Sequence, residues 1–184
     1  MRTNKVALLT LSALFLALAL VLPFLTGQIP EIGSMLLPMH LPALLCGFVC
    51  GWPWGLAVGL IAPILRSLLF GMPPLFPVAV VMAFEMATYG AVAGVLYARL
   101  PKTAARVYIA LVGAMLAGRA VWGVVSLLMG ALFTHNAFTL AAFMAGAFVK
   151  AWPGILVQLL LVPPIVFALE RARLIPAAPA RTDA

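Results

Sequence analysis

Long apolar runs, separated by short breaks of proline, glycine and polar residues, dominate the chain. Residues 6–25 are almost uninterruptedly apolar and match the ~20 residues that cross a bilayer as a helix. This predicts helix one over 5–25. Residues 26–38 hold Gln28, Pro30, Glu31, Gly33 and Ser34 and read as a loop. Helix two follows over about 39–51 and is short for a membrane span. The sequence Gly51-Trp52-Pro53-Trp54-Gly55 predicts a tight turn, with tryptophans suited to a membrane interface. Helix three, about 54–70, is interrupted by Pro63. Gly71-Met72-Pro73-Pro74 forces a loop, because proline lacks a backbone donor and restricts the residue before it. Helix four covers 77–99, and Pro101-Lys102-Thr103 is a polar turn. Helix five spans about 105–132 and is ended by Phe133-Thr134-His135-Asn136. Helix six, about 141–171, contains Lys150, Pro153 and the Pro163-Pro164 pair.

Composition supports lipid as the solvent for these helices. Hydrophobic residues make up 66% of the 184 positions and charged residues 8%, against about 25% charged in ordinary soluble domains. The fold class is therefore an all-α membrane protein, a bundle of six transmembrane helices. The first helix is too long for the apolar core of a signal peptide, and no small-x-small cleavage site follows it. A net charge of +7 would point to nucleic acid in a soluble protein. Here the basic residues sit in short segments between apolar runs and act as topology signals, so nucleic acid is not expected as a partner. Cys46 and Cys50 lie four apart on one helix face, a packing pattern more than a disulfide framework. Metal binding with His40 is the alternative, and no metal or other cofactor is expected. Residues 1–174 form one membrane domain, and the Pro/Ala-rich 175–184 reads as a disordered cytoplasmic tail.

Six helices place both termini on one side. Arg2, Lys5, Arg99, Lys102, Arg106, Arg171, Arg173 and Arg181 all fall on that side, and the opposite loops hold no Lys or Arg. The positive-inside rule makes both termini cytoplasmic. Arg66, Glu85, Arg119 and Lys150 then lie within helices, in the outer half or near the midplane, and His40 lies near the outer surface. At about 1.5 Å per residue, Glu85 is roughly 12 Å deep, Lys150 about 14 Å and Arg119 about 20 Å. Ionisable groups at such depths are costly and mark functional sites. Their arrangement describes a cup open to the outside with a closed floor. Helical spacing adds Thr88 and Tyr89 to the face of Glu85, and Trp122 and Ser126 to that of Arg119. It also aligns Gly146, Lys150, Gly154 and Gln158 on helix six. With Asn136, these supply the aromatic rings and few placed polar groups of a small-molecule pocket. The bundle-holding alternative is a pair between Glu85 and Arg119 or Lys150. Arg66 and His40 could equally snorkel to headgroup level, and Trp122 and Tyr89 could be packing residues.

The phrases LLPMHLPALLCGFVCG, IAPILRSLLFGMPPLFP and MAFEMATYG resemble the substrate-binding S components of energy-coupling factor (ECF) transporters. The resemblance covers the membrane region and is densest over 35–89. It implies a small six-helix subunit of an ABC-type importer that binds a vitamin or related micronutrient from outside. It also implies a bacterial or archaeal plasma membrane and partners, a transmembrane T subunit and two ATPase subunits. By the same resemblance Ala13 and Ala17, four apart on helix one, correspond to the family's docking motif. Ligand contacts would come from loops one, three and five and from helices four to six.

The chain has no G-x-x-x-x-G-K-[ST], H-E-x-x-H or nucleophile elbow, so no enzyme is expected and ATP hydrolysis would belong to partner subunits. Two rivals differ in class: a membrane-embedded enzyme using Glu85 and His40 as acid and base, and a free-standing secondary transporter. The latter calls for an internal repeat, which the glycines of helices two and three do not provide in the later half. Arg66, Arg119 and Lys150 against Glu85 leave the pocket region net +2 with neutral histidines. That excess predicts a ligand bearing a carboxylate or phosphate, such as a pantothenate-like acid; a neutral pyrimidine or pyridine vitamin is the alternative, if trapped water or a neutral Lys150 removes the mismatch.

Overall fold

The computed structural model describes residues 5–26, 35–134 and 143–172. These residues contain six α-helices and no strands: α1 (Lys5–Val21), α2 (His40–Cys50), α3 (Trp52–Phe70), α4 (Val80–Arg99), α5 (Ala105–Met129) and α6 (Trp152–Arg171). Five helical segments, Lys5–Leu25, Trp52–Phe70, Leu75–Arg99, Ala105–Phe133 and Trp152–Arg171, are long and apolar enough to cross a membrane. Helix α2 is not. Its 11 residues rise only about 16 Å, against a hydrocarbon core of ~30 Å.

What α2 lacks in length it recovers in burial. Pro42 through Cys50 are all buried, because the helix is apolar around its whole circumference and neighbours cover every side. It packs against α1, α3, α4 and α6. The predicted five-residue turn after it contracts to Gly51 alone. This residue sits at φ +91°, a region that side chains rarely adopt. Trp52 already opens α3, with Pro53 in the first turn, where a missing N–H costs nothing. Pro63 does not interrupt α3, which runs continuously to Phe70.

Glycines let α2, α3 and α4 cross with their backbones in contact. A Cβ on Gly47 would stand 2.2 Å from the Gly90 carbonyl oxygen, and one on Gly90 would stand 2.2 Å from that of Gly55. Small residues at a helix crossing are the usual device for close approach in a membrane, where dispersion contacts replace the hydrophobic effect as the driving force. This crossing holds α2 against α4 and so fixes His40 relative to Glu85.

Helix six departs most from expectation. Residues Ala145–Val149 form a π-helical stretch, Lys150 and Ala151 form a turn, and a new helix starts at Trp152 with Pro153 in its first turn. The wider π turn and the break change the helical phase. Gly154 and Gln158 stay on the buried face, whereas Lys150 is exposed. The Pro163-Pro164 pair is accommodated inside α6. The loop core at 27–34, the start of helix six at 141–142, His135, Asn136 and the tail lie outside the described residues.

A buried polar constellation as candidate functional site

Three helices, α2, α4 and α5, bring polar side chains together inside the apolar bundle, and α6 buries a further one, Gln158. Glu85 of α4 is 2% exposed, His40 of α2 and Gln158 of α6 are 1% exposed, and Arg119 of α5 is 6% exposed. Arg119 Nη1 lies 2.8 Å from Glu85 Oε1. The Tyr89 hydroxyl, one turn along α4, donates to the same oxygen at 3.2 Å. His40 Nε2 lies 3.5 Å from Glu85 Oε2, within ion-pair range yet without a hydrogen bond. The His40 and Tyr89 rings meet at 5.3 Å between centroids. Room for Tyr89 comes from Gly118, where a Cβ would stand 2.0 Å from the ring. Thus the residue before Arg119 admits the phenol that shares its carboxylate.

The constellation is only partly satisfied. Both ring nitrogens of His40, Nε and Nη2 of Arg119, and both amide atoms of Gln158 are buried without a hydrogen-bond partner. Buried polar atoms are paired in the great majority of cases, and each exception calls for an explanation. Six such atoms on three residues are donors and acceptors left open inside the bundle.

The sequence candidates fall into three groups. His40, Glu85, Tyr89 and Arg119 assemble as one cluster. Gln158 is buried one turn beyond Gly154, on a face that packs against the backbone of Met35 and Leu36, just before α2. Trp122 packs over Gly146, with Phe143 at 6.0 Å between ring centroids. Thr88 does not join its predicted neighbours; its hydroxyl donates back to Phe84 O at 2.8 Å.

Two charges are corrected. Lys150 is exposed on the surface of the bundle, so its charge does not enter the Glu85–Arg119 cluster. Arg66 is 2% exposed and does not snorkel to the surface. Its Nη1 donates to Leu20 O, where α1 gives way to the 3-10 stretch Leu22–Thr26. Its guanidinium lies 4.7 Å from the Phe24 ring centroid and 5.2 Å from that of Phe70. Arg66 thus ties the end of α3 to the end of α1. His40, expected near the outer surface, is likewise enclosed. The net +2 of the sequence argument therefore does not hold: with His40 neutral, the Glu85–Arg119 cluster has no net charge.

A second polar group escaped the sequence reading. Arg106 of α5 pairs with Glu170 of α6. Tyr97 of α4 donates to the same carboxylate, and Arg106 Nη2 donates to the Tyr97 hydroxyl at 3.0 Å. It joins three helices at the end of the bundle opposite the α3–α4 connection. Its only advance signal was that Glu170 is one of just four acidic residues. Cys46 and Cys50 are buried free thiols, and no group of metal-binding side chains occurs among the described residues.

Comparison with curated proteins and with solved structures gives no significant match. A protein-family model described as ECF transporter, substrate-specific component, matches residues 7–166, nearly all of the helical region. A multi-pass helical bundle with an incompletely paired polar centre agrees with that match, and the chain belongs to the substrate-specific components of ECF transporters.

Proposed function

We propose that the protein captures a vitamin or related micronutrient at the outer side of a bacterial or archaeal plasma membrane. It then delivers the solute inward together with a T subunit and two ATPase subunits. The observation that carries the capture site is the set of unpartnered buried atoms on His40, Arg119 and Gln158. Glu85 holds Arg119, and Tyr89 packs against His40. Trp122 stands one turn from Arg119, toward the C-terminal end of α5, which the proposed topology places outside. Asn136 belongs with it as a loop-five contact by resemblance alone. Lys150 and Arg66 are left out, the first for its exposure and the second for its engagement with α1.

Both termini are assigned to the cytoplasm from the distribution of Lys and Arg. Ala13 and Ala17 are exposed on α1, a small-residue face suited to the T subunit. An acid–base enzyme built on Glu85 and His40 finds no support. The carboxylate is already committed to Arg119 and Tyr89. Uptake of radiolabelled solute into vesicles tests the assignment: it requires the T and ATPase subunits and stops when ATP is withheld. Full-rate uptake by this chain alone would replace the capture subunit with a secondary transporter.

A further inference from the structure

Arg119 presents a specific chemical invitation. Its Nη1 is taken by Glu85, whereas Nε and Nη2 are both buried and unpartnered. These two nitrogens form one edge of the planar guanidinium, with parallel N–H bonds that match the two oxygens of a carboxylate. A neutral amide offers one acceptor oxygen and fills only half of that edge. The side-chain amide of Gln158 on α6 is likewise buried and open on both atoms.

A carboxylate placed there meets a charge problem. Arg119 and Glu85 already neutralise each other, so an incoming acid would leave the enclosed site with one excess negative charge. Burying an unmatched charge is expensive. The charges around His40 are few. Glu85 and the Tyr89 hydroxyl face it from α4, and Arg119 reaches Glu85 from α5. Gln158 on α6 is uncharged, Arg66 on α3 is engaged with Leu20, and the sole charge among the described residues of α1 is Lys5 at its start. Glu85 can also accept a proton, but its contacts with Arg119 and Tyr89 favour the ionised carboxylate, which leaves His40 as the group to take up the compensating charge. His40 Nε2 already stands 3.5 Å from Glu85 Oε2, and a proton there would convert that approach into an ion pair.

Resting on the capture reading above, we propose that the ligand is a carboxylic acid whose carboxylate docks on the Nε–Nη2 edge of Arg119. It binds together with one proton, taken from the external solution onto His40. The filled site then contains two positive and two negative groups.

Matched pairs of vitamin-sized probes test this: pantothenate with panthenol, nicotinate with nicotinamide, and biotin with biotin amide. They are titrated calorimetrically into the detergent-purified full chain, in phosphate and in Tris, between pH 6 and 8. The expected result is one acid that binds about 10- to 100-fold more tightly than its neutral counterpart, the difference made by a charged bidentate contact. Comparison of the two buffers should give uptake of one proton, and affinity should weaken with rising pH by up to about tenfold per unit. His40→Gln should still bind the acid, more weakly and with no proton uptake. Arg119→Lys, which keeps the charge but loses the planar edge, should erase most of the preference for acid over neutral probe. Equal or tighter binding of a neutral probe, no binding of any acid, or acid binding without proton uptake would each overturn the proposal. A neutral probe that binds tightly to the wild type and is lost in Gln158→Leu would leave the capture reading standing. A wild-type protein that neither binds any probe nor retains any small molecule through purification would remove both.

Discussion

Replacement of Glu85 by leucine should destabilise the protein more than replacement of Arg119 by methionine, although the two residues form one pair. Glu85 accepts from Arg119 at 2.8 Å and from Tyr89 at 3.2 Å, and stands 3.5 Å from His40. Its loss leaves the guanidinium buried with no counter-charge, and arginine cannot shed its proton. The converse change leaves a carboxylate that can accept a proton and become neutral, still in contact with Tyr89. Removal of one partner of a buried pair costs about 3–5 kcal/mol, which Glu85→Leu should reach and Arg119→Met should not. For a chain of this length each kcal/mol moves the melting temperature by roughly 2–4 °C. Glu85→Leu should therefore melt roughly 6–20 °C below the wild type in a single detergent, without added ligand. The double variant removes both charges, and should recover much of the loss, with a coupling of about 3 kcal/mol. Thermal unfolding of the four proteins, followed by size-exclusion recovery, measures the cycle. Strict additivity, or an Arg119→Met protein as unstable as Glu85→Leu, would refute the reasoning that the buried pair is charged and mutually dependent.

Gly90→Ala should cost at least about 1–3 kcal/mol, as overpacking generally does, because the new Cβ meets the Gly55 backbone and not a movable side chain; detergent melting curves read it directly. Arg66→Met should lower stability by about 1.5–3 kcal/mol, through loss of a charged donor to Leu20 O, and leave the affinity for solute unchanged in an equilibrium binding assay. Arg119→Met should weaken solute binding by about 10-fold or more, as loss of a charged hydrogen bond does, whereas Lys150→Met should bind like the wild type in the same titration. Ala13→Trp should bind solute normally yet fail to support uptake in vesicles containing the T and ATPase subunits, because the bulky ring blocks close helix approach.

The limits of the sequence reading follow from which distances a sequence encodes. Runs of apolar residues and Pro/Gly breaks located all six helices, because the membrane demands continuous apolar stretches. Glu85 and Arg119 stood out for the same reason: charge is rare in such stretches. Their contact was not legible. Depths counted from helix ends placed them about 8 Å apart, but rise runs along each helix, and helices tilt by about 20° on average. The burial of Arg66 depended on a backbone carbonyl, Leu20 O, made available where α1 changes to a 3-10 stretch. No side-chain pattern announces such an acceptor. Lys150 was misplaced because four-residue spacing assumes a regular helix, and the π-helical stretch at Ala145–Val149 breaks that register.

Native mass spectrometry tests the central claim most directly, that the unpartnered atoms of His40, Arg119 and Gln158 hold a small molecule. The full-length protein would be released from detergent beside its Gln158→Leu and Arg119→Met variants, each prepared from cells grown in rich medium. The account predicts a wild-type population carrying one small molecule per chain, with occupancy sharply reduced in both variants while the protein stays folded. An adduct of the same mass and occupancy in all three proteins would contradict it, because the molecule would then be held elsewhere.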